Sequence, residues 1–173
     1  MRENFRGSQC LMTHVKMFRS ILTFYGVCFM LQKASSQDFP ILIEIWERSV
    51  RATHDFLAEQ EIISLKPLIL NEYFHQVLIH KFVQDGRILG FIGTSNDNIE
   101  MLFIEPEFRG KGIGKAFIEF ALNELKIDQV DVNEQNTQAV GFYQKLGFEV
   151  LSRSELDHQG KPYPLLHLKF KLS

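Results

Sequence analysis

One stretch near the middle of the chain constrains the fold more than any other. Residues 104–115 read IEPEFRGKGIGK and join an apolar, strand-like run to a helical one. Its glycines are Gly110, Gly112 and Gly114, and its cations are Arg109, Lys111 and Lys115. Glycine adopts backbone conformations closed to other residues, so the chain can turn sharply here. The first amides of a helix point outward at the positive end of its dipole, and the stretch therefore predicts a phosphate site.

Two common phosphate-binding motifs do not fit this stretch. A Rossmann fingerprint needs G-x-G-x-x-G at the start of a parallel βαβ unit, whereas these glycines are two apart and the preceding strand follows a tight hairpin. A P-loop needs Ser or Thr after its Gly-Lys pair, where this chain has Ala116. A glycine turn that only begins a helix remains the structural alternative.

The apolar spacing around this turn predicts one α/β domain. The turns at 85–86 and 96–98 are short enough to join three consecutive strands as antiparallel neighbours. The predicted strands are 30–34, 76–83, 87–95, 99–104, 130–132, 148–153 and 163–170, and the predicted helices are 39–50, 59–73, 112–126 and 136–146. Pro67 predicts a kink in the second helix. The order of these elements indicates a mixed sheet.

Residues 1–29 differ in composition from the rest of the chain. They contain both cysteines. They also contain four cationic residues (Arg2, Arg6, Lys16, Arg19) and one acidic residue, Glu3, so the segment has a charge of +3. The chain as a whole has a net charge of −2, so the remainder has −5. We expect residues 1–29 to be an extension outside a domain that spans 30–173. A helix or strand packed on that domain, and a secretory signal or anchor, are the alternatives. Without cysteine, residues 30–173 cannot form a disulfide framework or a thiolate metal site.

Two motifs resemble those of the GNAT N-acetyltransferase superfamily. Residues 106–114, with the pattern P-x-x-R-G-x-G-I-G, are similar to its acetyl-CoA signature, and residues 136–148, N-x-x-A-x-x-F-Y-x-x-x-G-F, are similar to its second motif. Residues 46–57, 133–136 and 160–166 resemble the YjaB-type bacterial members. The resemblance implies a mixed, mostly antiparallel sheet with helices on both faces and a splayed parallel strand pair that holds the cofactor.

The resemblance also implies an enzyme that transfers acetyl from acetyl-CoA directly to an amine. The implied cofactor-binding residues are Leu102, Phe103, Ile104, Arg109, Gly110, Lys111, Gly112, Ile113, Gly114, Lys115, Asn136 and Tyr143. The amide of Phe103 or Ile104 would donate to the oxyanion. Tyr143 would be the general acid, since a phenol is protonated at pH 7. A tyrosine packed in the core, and an Asn136 that caps its helix, are the structural alternatives.

The group that accepts the proton of the amine is less well defined. Glu100 lies on the predicted fourth strand. Strict alternation would turn it to the same face as Leu102 and Ile104, which we expect in the core, and a β-bulge would remove that conflict. His54 and Asp55 lie where the family shapes its acceptor site, and an imidazole there could also take a proton. No grouping of histidine and carboxylate residues has metal-ligand spacing, so we expect no metal.

The acceptor is expected to be a small-molecule amine, with a protein amine as the second option. The charge balance gives no indication of nucleic-acid binding, since affinity for phosphate backbones needs clustered cations. We expect no membrane partner, a monomer or homodimer, and a place in the bacterial cytoplasm, where acetyl-CoA is found. A non-catalytic sensor of acetyl-CoA is the alternative function, and an interaction domain without a cofactor is a third.

Overall fold

The sheet has eight strands in the part of the chain that the structure describes. The computed structural model describes residues 20–24 and 27–171, with side chains from Met30 onward. In chain order the strands are β1 (Ser20–Phe24), β2 (Val27–Lys33), β3 (Leu78–Gln84), β4 (Arg87–Ser95), β5 (Asn98–Ile104), β6 (Gln129–Asn133), β7 (Phe148–Ser154) and β8 (Leu165–Phe170). They are arranged β1-β2-β3-β4-β5-β6-β8-β7. Every neighbouring pair is antiparallel except β5 and β6.

Five α-helices are described around this sheet. They are α1 (Phe39–Arg51), α2 (Glu59–Leu68), α3 (Phe74–Gln76), α4 (Ile113–Phe120) and α5 (Thr137–Lys145). The predicted helix over 59–73 contains Pro67 and widens into a π turn, Ile69–Tyr73, before α3. A second π turn, Ala121–Leu125, continues α4. At the end of the chain Pro164 has no amide hydrogen to donate to a ladder, and β8 begins one residue after it.

The helices pack against both faces of the sheet and bury two apolar cores. On one face Phe117 of α4 and Tyr143 of α5 pack with Val130 of β6. On the other face Leu42 and Trp46 of α1 pack with residues of β3 and β4. The predicted mixed, mostly antiparallel sheet with helices on both faces is therefore confirmed.

The backbone of the sheet begins earlier in the chain than we expected. β2 starts at Val27 rather than at Met30, and β1 pairs with it over residues 20–24 as an antiparallel edge strand. Residues 1–19 lie outside the described part. That the domain folds without residues 1–29 stays a prediction.

A β-bulge in β5 changes the direction of one acidic side chain. Gly93 pairs with Met101 and Thr94 with Ile99, so Glu100 has no residue opposite it in the strand ladder. An extra residue of this kind shifts which face the following side chains occupy. Ile99 and Leu102, three residues apart, consequently pack in the same core. Glu100 is not part of that core. The bulge removes the conflict that strict alternation had raised.

The parallel strands β5 and β6 separate after two residue pairs. They pair at Asn98 with Gln129 and at Ile99 with Val130, and no further. β5 continues to Ile104 and β6 to Asn133, so their later backbone groups face a widening gap. This gap positions the site described next. No helix in the described ranges is long and apolar enough to cross a membrane.

Candidate active site

A cleft of about 340 Å³, here called the glycine-loop cleft, lies between the end of β5, the glycine loop and α5. All of the predicted cofactor-binding residues line it except two. Ile113 is buried in the core instead, and the amine of Lys111 lies 4.5 Å above the ring of Phe108. The structure thus brings the two family-like motifs together around one cleft, although they are about thirty residues apart in sequence.

The glycines of the loop serve two different purposes. Gly110 and Gly112 have φ angles of 72° and 87°, a left-handed conformation that favours glycine, and a Cβ at either would meet no atom within 4 Å. Gly114 is packed instead, since a Cβ there would lie 3.0 Å from Cζ of Phe142. Open space beside the first amides of α4 fits an anionic group such as a diphosphate.

Arg109 does more than supply charge to this cleft. Its Nη2 donates to the backbone oxygen of Ser49 at 2.9 Å and to the Ser49 hydroxyl at 2.8 Å. Burial lowers the pKa of the guanidinium from its ordinary value. The side chain therefore ties the glycine loop to the last turn of α1. Sequence reasoning missed Ser49, because nothing local marks a residue sixty positions away.

Tyr143 packs in the core and also lines the cleft. Its ring lies 5.0 Å from that of Phe142 and 5.5 Å from that of Phe148, and only 6% of the residue is exposed. Burial raises the pKa of the phenol above its ordinary value, so the hydroxyl keeps its proton at neutral pH. Among the described residues it has no hydrogen-bond partner. A protonated, unpaired hydroxyl at a cleft wall is placed to donate to a ligand.

Asn136 is a helix cap at the mouth of the same cleft. Its Oδ1 accepts from the amide of Ala139 at 3.1 Å, which satisfies one of the free donors at the start of α5. The side-chain NH2 group is not used by this cap. The structural role is therefore present, and a ligand-binding role is compatible with it.

Hydrogen-bond alternation in β5 shows which amides face the gap. The amide of Glu105 donates to Leu89 of β4 at 2.9 Å. In an antiparallel pair alternate residues point their amides to the same neighbour, so the amide of Phe103 also faces β4. The amides of Ile104 and Leu102 then face the gap toward β6. Of the two oxyanion donors that we expected, this favours Ile104.

A second cavity, of about 700 Å³, lies beside α2 and is here called the α2 cavity. Its apolar wall includes Phe56, Leu57, Leu65, Val77 and Met101, and its carboxylates are Glu61, Glu100 and Asp157. Among the described residues, His54 is the one that lines both cavities. Asp55, expected to bind the acceptor together with His54, is exposed and lines neither.

His54 is held as a neutral imidazole where the cavities meet. The Thr53 hydroxyl lies 2.9 Å from both the Ser49 backbone oxygen and Nδ1 of His54. Because the single hydroxyl hydrogen goes to Ser49, Nδ1 carries the ring proton and Nε2 is the acceptor. Burial lowers the pKa of His54 to about 4, so the ring is uncharged at neutral pH.

Acidification is expected to destabilise the fold through His54. The pKa falls from 6.5 to about 4 on folding, so between these values the unfolded chain binds more protons and the free energy of unfolding decreases as pH decreases. The loss is at most ~3 kcal/mol near pH 4. His54→Gln cannot gain the charge. Urea unfolding at pH 7 and pH 4.5 should show a smaller pH effect in the variant, and an equal effect in both proteins would contradict the assignment.

Glu100 and the loop between β7 and β8 form the polar side of the α2 cavity. Glu100 is exposed and accepts from the Ser95 hydroxyl at 2.5 Å. The loop residues Lys161 and Tyr163 both bond to Glu61 of α2, which lowers the pKa of that carboxyl mainly through the Tyr163 hydroxyl. Sequence reasoning missed Glu61 as a residue of this cavity. No cluster of possible metal ligands occurs in the described ranges.

Similarity to known proteins agrees with this geometry. The model for the acetyltransferase (GNAT) domain matches residues 56–163. The peptidyl-lysine N-acetyltransferase YjaB of Salmonella typhimurium is 43% identical over 139 residues, which cover 80% of this chain and 95% of that protein. The protein of the same name from Escherichia coli K12 is 40% identical over 140 residues, covering 81% of this chain and 95% of that protein.

Solved structures show the same architecture. The solution structure of apo-form YjaB from Escherichia coli superposes with a TM-score of 0.75 at 39% identity, and the match covers 84% of this chain and 99% of that one. A PaiA N-acetyltransferase from Thermoplasma acidophilum in complex with coenzyme A gives a TM-score of 0.65 at 22% identity, covering 83% and 99%. At 22% identity, the match to the Thermoplasma acidophilum protein supports a shared fold only.

Proposed function

The chain belongs to the GNAT family of acetyltransferases, with acetyl-CoA as its donor, and we propose that its acceptor is the side-chain amine of a lysine in a protein or peptide. The observation that carries this proposal is the junction of two cavities at His54, one bordered by the glycine loop and the other by apolar and acidic side chains. A lysine side chain combines a four-carbon stem with a cationic end and matches that second lining. The sequence alone had favoured a small amine; the names of the relatives favour a protein lysine.

The donor is held by backbone groups in this proposal. The amides around Gly110 to Gly114 bind its diphosphate at the start of α4, with Arg109 and Lys115 adding positive charge. The outward amides of Leu102 and Ile104 in β5 bind the arm and the thioester oxygen in the gap toward β6. A fixed amide aimed at a developing oxyanion is worth a few kcal/mol, about 2.7–4 in measured cases, where water is excluded.

Two side chains move protons in the proposed reaction. Tyr143 donates to the sulfur as the thiolate leaves, because its buried phenol keeps its proton. Glu100, which the bulge directs into the α2 cavity, binds the acceptor ammonium and accepts its proton as the amine attacks. His54, uncharged and at the junction, orients the amine. The residues from 30 onward contain no cysteine to carry an acetyl group, which favours direct transfer.

Glu100→Gln is expected to lower kcat/KM for a lysyl peptide by about tenfold or more, since it removes both the charge that binds the ammonium and the proton acceptor. The Kd of acetyl-CoA should not change, because Glu100 lines only the α2 cavity. Glu149→Gln on the edge strand β7 is the matched control, as Glu149 is exposed and pairs with Lys171. Steady-state kinetics give kcat/KM for both variants. A value for Glu100→Gln equal to that of Glu149→Gln would exclude Glu100 from the mechanism.

An acceptor screen tests the function as a whole. Release of coenzyme A is followed with lysyl peptides, free polyamines, free amino acids and peptides whose sole amine is the N-terminus. We expect the lysine ε-amine within a peptide to react with the highest kcat/KM. Preference for a polyamine or an α-amine would overturn the proposed acceptor. Binding of acetyl-CoA without release by any amine would favour the non-catalytic sensor.

A further inference from the structure

The geometry points to Lys161 as an acetylation site of this same chain, modified by its own active site; this inference rests on the proposed function. In the described part of the chain, Lys161 is the lysine that lines the α2 cavity. Its Nζ lies 3.2 Å from Oε1 of Glu61, so a lysine ammonium already lies at the wall of the cavity proposed for the acceptor. The side chain is 37% exposed, which leaves it free to move.

The backbone at Lys161 is fixed by its own loop. Oδ1 of Asp157 accepts from the amides of Gln159 and Lys161, each at 2.8 Å, and the amide of Asp157 donates to the Lys161 oxygen at 3.0 Å. Pro162 follows, with its fixed φ angle. The flexible four-carbon side chain therefore starts from a defined point at the cavity wall.

A series of contacting side chains leads from Lys161 toward the glycine-loop cleft. The other oxygen of Glu61 bonds to the hydroxyl of Tyr163, whose ring lies 6.2 Å from that of Phe56. The Phe56 ring lies 5.3 Å from the ring of His54, which also lines the glycine-loop cleft. A lysine held at this wall has a high effective concentration at the junction, as positioned reactants do.

The proposed step is a balanced acyl transfer. The Lys161 ammonium first loses one proton to solvent, and the Nζ lone pair forms a bond to the carbonyl carbon of acetyl-CoA. The bond from that carbon to sulfur breaks, and the sulfur leaves with its electron pair. The Tyr143 hydroxyl gives its proton to the sulfur, and the second proton that the nitrogen releases restores that hydroxyl, so the products are Nε-acetyl-Lys161, coenzyme A and one proton in solution.

Peptide mapping by mass spectrometry tests this inference. The full chain is incubated with acetyl-CoA, and acetylation of Lys161 is timed against Lys171, a solvent-exposed lysine outside both cavities. We expect Lys161 to react at least about tenfold faster, with a rate constant unchanged when the protein is diluted, because transfer occurs within one chain. Heat-unfolded protein gives the chemical background. Tyr143→Phe should slow the acetylation of Lys161 and leave the acetylation rate of Lys171 unchanged.

Equal rates at the two lysines, or a Lys161 rate that falls on dilution, would overturn the inference. Lys161→Arg should remove the fast acetylation, and Lys171→Arg should keep it. A lysyl peptide tested in parallel separates the two proposals. If the peptide is acetylated and Lys161 is not, self-acetylation is wrong while the proposed function stands; if neither is acetylated, both are wrong.

Discussion

Tyr143→Phe is expected to lower kcat for a lysyl peptide by tenfold or more, within the ~10²–10⁴ that general acid steps contribute. The Kd of acetyl-CoA should remain almost unchanged, because the ring and its packing against Phe142 and Phe148 are kept. Only the hydroxyl that donates to the departing sulfur is lost. Turnover is measured by coenzyme A release and affinity by calorimetry.

The same variant controls for stability. No described residue bonds to the Tyr143 hydroxyl, so its removal leaves no unsatisfied partner and the Tm should not fall. A loss of turnover with an unchanged Tm would then result from the missing proton donor and not from a less stable fold. Unchanged turnover would instead show that Tyr143 is only a core residue, and the leaving thiolate would have to take its proton elsewhere.

Gly112→Ala is expected to weaken acetyl-CoA binding by about tenfold. Gly112 is the N-cap of α4 with φ +87°, and a Cβ in the left-handed region costs ~1–2 kcal/mol. The chain can avoid this cost by rotating the loop, which turns the amides of the first turn away from the diphosphate. A change of 1.4 kcal/mol corresponds to a factor of about ten in Kd. Calorimetry with acetyl-CoA measures it.

Gly86→Ala is the matched control for that experiment. Gly86 has φ +75° and an equally open environment, but it lies in the hairpin between β3 and β4 and does not line the glycine-loop cleft. It should lose a similar free energy of unfolding, ~1–2 kcal/mol, with no change in the Kd of acetyl-CoA. If Gly112→Ala binds acetyl-CoA as tightly as Gly86→Ala does, the glycine loop is not the phosphate site.

Features that depend on local pattern were predictable from the sequence. The turns at 85–86 and 96–98 fixed β3, β4 and β5 as antiparallel neighbours, and the glycines marked the strand-to-helix turn. Leu146 and Gly147 end the last helix where expected, with Gly147 at φ +100°. The family resemblance then implied which residues would share a cleft, and the structure brings most of them together there.

Features that depend on distant contacts were not predictable. Glu61 meets Tyr163 and Lys161, which are about one hundred residues later in the chain, and Arg109 meets Ser49 sixty residues earlier. No spacing rule links such positions. The bulge at Glu100 was only an option in the sequence, because it depends on how β4 and β5 align. The composition of residues 1–29 favoured an extension and kept a packed strand as an alternative, but it could not specify the pairing of β1 with β2.

The backbone oxygen of Ser49 accepts hydrogen bonds from two directions. Arg109 reaches it from the glycine loop, and the Thr53 hydroxyl, which also holds His54, reaches it from the end of α1. A single carbonyl thus anchors one wall of each cavity. The glycine loop and the residue that holds His54 therefore share one acceptor, and a ligand that displaced Arg109 would disturb a hydrogen bond next to the one that supports His54.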